Sequence, residues 1–178
     1  MGSAIDLPSL VLTLLPPRRF DREGARGTRE ETIALLEERG FAAHAGVLAF
    51  EASYGGARLS TAPYRRIERD LVPVICGADD TIYSLDGRGR GWVCAAMVEG
   101  ASRPSARDGT QLLVQAILWR ILSLGRFTHR PGAVGAAVAA GLPELPWATS
   151  DHEAWWGDAS RLVVEIPFGN GHLSPMTY

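Results

Sequence analysis

A chain of 178 residues, 46% hydrophobic and 21% charged, has the make-up of a single globular domain able to bury a core. Its 18 basic residues, all arginine, stand against 20 acidic ones for a net charge of −2, which gives no electrostatic ground for nucleic acid as a direct partner. Two cysteines are too few for a disulfide-framed secreted scaffold, and no apolar run approaches the roughly 20 residues that span a bilayer; a soluble cytoplasmic protein with no membrane partner is expected.

The first apolar run, Leu7 to Leu15, is short and interrupted by Pro8, with no basic stretch before it and no small-residue cleavage site after it, so it is not read as a signal peptide. Residues 16–27, rich in Pro, Gly and charge, read as an irregular connection. The stretch TREETIALLEERGF then opens with a capping box, Thr28 with Glu31 three residues on. Ile33 and Leu36 supply the apolar side, and Gly40 fits the position just past the end. A second helix is expected from about His44 to Tyr54, where Val47, Leu48, Glu51 and Tyr54 recur at spacings of three and four beside Phe50. Gly55 and Gly56 end it, and Tyr54, Gly55 and Gly56 together form a structural corner. ARLST, after that corner, has weak strand character.

From Leu71 the period changes. LVPVIC, TIYSL and GWVCAAMV are short and rich in β-branched or aromatic residues, with turn sequences between them, and predict an antiparallel three-stranded meander. Placing Ile82 opposite Cys94 and Ile75 opposite Ile82 puts Val74, Tyr83, Leu85, Val93 and Met97 on one face. It also leaves Cys76 and Cys94 two strands apart, too far for a disulfide. Next comes a helix capped by Asp108 whose apolar residues, from Leu112 to Leu124, cover nearly its whole circumference. Such a helix is buried on more than one side, and the last quarter of the chain is the candidate cover. That quarter holds an Ala/Gly-rich helix near residues 132–140, a connection rich in Pro and Trp, and a final strand in RLVVEIPF.

No catalytic constellation stands out. GRGRG at residues 87–91 lacks the Lys-Ser/Thr of a phosphate loop and precedes a strand, which makes it a hairpin turn. His44, His129, His152 and His172 are scattered, without metal-ligand spacing, and no metal or cofactor is expected. Cys76 and Cys94 sit in strands as small apolar residues. Asp79, Asp80 and Asp86 flank one strand on turns, where Asp bonds the local backbone; together they also offer an acidic rim for a basic partner. Paired turn carboxylates could serve acid/base hydrolysis, and Asp151, His152 and Glu153 form a second cluster from which a small hydrolase could be built, if their side chains converged with another polar group in a pocket. Trp119 reads as core, and Trp147, Trp155 and Trp156 as packing over the long helix.

The order of these elements resembles the SUKH superfamily. The match falls on Leu36, Gly40, Phe41, Phe50, Tyr54, Gly55 and Gly56, then on Pro73, Gly77, Tyr83, Leu85, Asp86 and Gly89, and covers roughly residues 28–124. The resemblance implies an α+β fold, a twisted and mostly antiparallel sheet packed by helices, in a single domain over residues 1–178 with a C-terminal helix/strand extension from about residue 125. It also implies a non-enzymatic binding protein. Bacterial members are commonly immunity proteins that neutralise a cognate polymorphic toxin, often one acting on nucleic acid, by direct binding; others are interaction or scaffold modules. The expected partner is thus a protein toxin, and the candidate contacts are Asp79, Asp80, Tyr83, Asp86 and Trp92.

Overall fold

The structure is a computed structural model, and it describes residues 8–14, 28–54, 70–77, 81–95, 102–123 and 141–165. In chain order the elements are α1 (Ser9–Leu14), α2 (Arg29–Glu38), α3 (Ala45–Tyr54), β1 (Val72–Cys76), β2 (Thr81–Leu85), β3 (Gly91–Ala95), β4 (Ser102–Ala106), α4 (Gly109–Ser123), β5 (Ala154–Gly157) and β6 (Leu162–Glu165). Strands β1 to β4 form one antiparallel sheet in sequential order, and β5 pairs with β6 in a separate hairpin. This is the α+β architecture expected. The expected helix near residues 132–140, the strand in ARLST and the connection at 16–27 lie outside the described residues.

Local chemistry explains the helices. The Thr28 hydroxyl accepts from the Glu31 amide at 3.3 Å while the Glu31 carboxylate accepts from the Thr28 amide at 2.6 Å, so the capping box forms as read. At the other end Gly40 takes φ = 73°, its amide bonds the Glu37 carbonyl, and the Phe41 amide bonds the Leu36 carbonyl. That pair of bonds is a Schellman closure, which brings Leu36 and Phe41 to the hydrophobic contact that accompanies it. Helix α3 buries Val47, Leu48, Phe50, Glu51 and Tyr54, the face expected from its spacing. Helix α4 starts at Asp108, whose Oδ1 accepts from the Gln111 amide at 2.8 Å.

The sheet follows the expected meander with two additions. Ile82 does face Cys94, but Ile75 faces Tyr83 and not Ile82, because a bulge between Pro73 and Ile75 adds a residue to β1. The bulge turns Val74 and Ile75 both into the core, where they join Tyr83 and Leu85, with Val93 packed against them. The second addition is β4, SRPSA, an edge strand without β-branched residues that the sequence pattern does not announce. It too is bulged, between the pairs Gly91–Ala106 and Trp92–Pro104, and both Ser105 and Ala106 are buried. On the opposite face Leu71, Ile82 and Cys94 form a small second cluster with Trp92 against it, and the buried Cys94 Sγ lies 3.9 Å from Ser84 Oγ.

Helix α4 runs between the sheet and the C-terminal segment. Leu112, Leu113, Ile117, Leu118 and Ile121 are fully buried in one cluster with sheet residues and with Leu145, Ala148, Trp155, Leu162 and Val164. The last quarter of the chain covers the far side of the helix, as its all-round apolar surface demands. Two elements packed against α4 were unforeseen. Val11 of α1 is completely buried in the same core, and AWWG, read as part of a connection, is strand β5.

Candidate functional site

The sequence-derived contact residues are dispersed by the fold. Asp79, Asp80, Gly55 and Gly56 lie outside the described residues. Tyr83 is 3% exposed and points into the core, so it offers no surface to a partner. Burial raises its phenol above the ordinary range, the Glu153 charge adds to that rise, and Arg103 opposes it. Tyr54 is the fold-building residue expected: its hydroxyl lies 3.1 Å from Thr110 Oγ1, tying the end of α3 to the start of α4.

Asp86 is a turn residue whose carboxylate is already engaged. Its Oδ1 accepts from the Arg88 and Arg90 amides at 2.9 and 3.0 Å, and its Oδ2 from Arg90 Nε at 2.8 Å and Trp92 Nε1 at 3.2 Å. The main chain closes beneath it through Asp86 N–H to Arg90 O and Gly89 N–H to Asp86 O, with Gly89 at φ = 79°. This is the three-residue hairpin loop with glycine in the left-handed position. Trp92 is therefore held to the loop and half-buried, and Arg88 and Arg90 are exposed at the tip. The tip rests on the start of α3. A Cβ on Gly46 would stand 2.5 Å from the Gly89 Cα, and one on Gly87 would meet the His44 ring at 3.2 Å.

Burial alone would raise the Asp86 carboxyl, but the bonds from the Arg90 amide, the Trp92 indole, the Arg88 amide and the Arg90 side chain outweigh it and hold the group below the usual carboxylate range. A depressed carboxyl contributes stability that is complete above its unfolded value, about 4, and is lost as the pH falls further. An Asp86→Ala variant should thus lose about 2 kcal/mol at neutral pH. Its urea midpoint should also fall less than the wild type's between pH 5 and pH 2. Parallel acid profiles for the two proteins would refute that role.

The DHE triplet is split. The Ser150 hydroxyl accepts from the His152 and Glu153 amides at 3.2 and 3.1 Å, and the Ser150 amide bonds the Glu153 carbonyl at 2.7 Å. This turn leaves Asp151 and His152 exposed and drives Glu153 inward to 0% exposure. The three side chains do not converge, so they do not form a shared acid/base site. Among the described residues no group of three or more His, Cys, Asp or Glu stands together as metal ligands would.

Around Glu153 lies instead a buried polar network that the sequence reading missed. Glu153 Oε1 accepts from Arg103 Nη2 at 2.6 Å and lies 3.1 Å from Ser105 Oγ, and Oε2 accepts from the indole N–H of both Trp119 and Trp155 at 3.2 Å. The single Ser105 proton is shared with Gln115 Oε1, which at 2.7 Å is the nearer acceptor. Gln115 Nε2 donates to the Ala148 carbonyl at 2.8 Å, and Gln111 Nε2 to the Thr149 carbonyl at 2.7 Å. The Trp119 and Trp155 rings meet edge to face at 5.5 Å. Arg103 reaches this pair from β4, in a cross-strand row with Val93 and Tyr83, with its side chain 26% exposed. Its Nη1 is buried with no hydrogen-bond partner among the described residues. One signal pointed here. Two glutamines a turn apart on a helix buried all round must find partners, and those partners had to come from the covering segment.

Comparison of the chain with protein-family models, with curated proteins and with solved structures gives no match. Each oxygen of Asp86 faces two donors, and Glu153 accepts from Arg103, Trp119 and Trp155, so both carboxylates are engaged within the fold. In the C-terminal hairpin Asp158 does the same work on the surface. The Ser160 hydroxyl and amide and the Arg161 guanidinium and amide bond its carboxylate and push its pKa well down against a small opposing effect of burial.

Proposed function

We propose that this chain is a non-enzymatic binding protein of the SUKH type, an immunity protein that neutralises a cognate bacterial toxin by direct binding in the cytoplasm. The observation that carries this reading is the work done by the residues of the resemblance. Leu36, Gly40 and Phe41 form the Schellman closure of α2. Tyr54 pins α3 to α4. The Gly77 amide bonds the Thr81 carbonyl at 2.8 Å, and a Cβ at Gly77 would meet the Tyr83 ring at 2.7 Å. Leu85, Asp86 and Gly89 build the hairpin that seats on α3. Each closes a helix end, a strand turn or a contact between elements. The pattern thus encodes a frame, which supports likeness of fold with a partner surface carried by other residues.

An acidic excess suits a partner whose working surface is basic, since opposite charge speeds encounter and weakens with salt. Asp79 and Asp80 are the acidic residues proposed for that contact. The deciding experiment is co-purification from the native host with this chain as bait, followed by expression of the retained protein alone. A stoichiometric partner that is lethal without this chain is the expected outcome, and Asp79→Lys with Asp80→Lys should weaken that complex and flatten its salt dependence. A stoichiometric partner that is harmless by itself would favour an interaction or scaffold module.

A further inference from the structure

We infer that the Arg103–Glu153 pair sets the register in which residues 141–165 strap onto α4, and that it does this without adding to stability. The apolar contacts beneath the strap, from Leu145, Ala148 and Trp155, are non-directional and tolerate sliding. The glutamine contacts are degenerate. Gln111 and Gln115 are the same side chain one turn apart, about 5.4 Å along the axis, and both grip main-chain carbonyls, of Thr149 and Ala148. The Ser150 hydroxyl likewise donates to a main-chain carbonyl, that of Ser105. A strap moved by one turn would hand Thr149 O to Gln115 with little loss. Glu153 breaks the degeneracy, because its carboxylate must meet Arg103 of β4 and the Trp119 indole of α4 together, whereas its bond from Trp155 lies within the strap and moves with it. In any other register a charge with 0% exposure would lie unpaired, the most costly error available in a core. In the native register, desolvation of such a pair largely cancels its attraction, and apolar residues of similar size serve stability as well or better.

The test replaces the pair as a unit, Arg103→Met with Glu153→Leu, alongside a control, Gln111→Met. The expected double variant keeps a cooperative transition with a midpoint at or above the wild type's. It shows more than one resonance for the Trp155 indole, and amide exchange over residues 154–157 and 162–165 faster by about tenfold or more. The Gln111→Met protein should keep one resonance and native protection. A double variant with a single Trp155 resonance and native protection overturns the inference. Failure of the double variant to fold also overturns it, since the pair would then be a source of stability, as does heterogeneity in the Gln111→Met protein alone.

Discussion

Glu153→Ala should lower the unfolding free energy by about 3 kcal/mol, the largest loss expected from any single polar substitution in this chain. The truncation strands three donors at once: Arg103 Nη2 and the indole N–H groups of Trp119 and Trp155. Trp155 is completely buried and Trp119 half-buried, and each buried donor left without a partner costs about 1–3 kcal/mol. The sum is held down because Arg103 keeps one edge in solvent and can be partly rehydrated. Urea unfolding followed by near-ultraviolet circular dichroism is the measurement, since the edge-to-face Trp119–Trp155 pair gives that signal its source. Glu153→Gln, which keeps the shape and one acceptor, should fall between alanine and wild type. A loss below about 1 kcal/mol for alanine would mean that the network is rehydrated at no cost.

The second large effect sits where a helix meets a turn. Gly46 lies in the first turn of α3, and helix propensity alone predicts a gain of up to about 1 kcal/mol from Gly46→Ala. The structure predicts the opposite sign. The added methyl would come within 2.5 Å of the Gly89 Cα, a main-chain atom that no rotamer change can move aside, and Gly89 is itself fixed at positive φ in the loop bonded by Asp86. Either the hairpin lifts or α3 shifts, at a net cost of about 2 kcal/mol. For a domain of this size that is a fall of roughly 6 °C in the thermal midpoint. An unchanged or higher midpoint would show that propensity prevails and that the two backbones are free to separate.

How much of this was legible depended on whether the signal was local. The capping box at Thr28, the glycine closure at Gly40, the α3 face and the Ile82–Cys94 pairing follow from neighbours in sequence, and the structure places each where the pattern does. The coverage of α4 was legible as a requirement, though not its chemistry. The misses share one cause. Strand β4 carries no strand-like side chains because a bulged edge strand containing Pro104 is held by partners from elsewhere in the chain. Strand β5 is four residues long. Ile75 slipped by one position because a bulge leaves no mark in an alternating pattern. At the candidate contacts the turn chemistry of Asp86 was legible, and its carboxylate does bond the backbone of its own loop, but nothing local showed that the Tyr83 phenol faces inward.

Both outer strands of the main sheet, among the described residues β1 and β4, combine a proline with a bulge: Pro73 beside one irregularity and Pro104 beside the other. Neither rim therefore presents an uninterrupted row of amides and carbonyls onto which a further strand could zip. Any contact made along these rims would have to be spelled in side chains. The same interruptions oppose the joining of copies of the chain rim to rim into fibres.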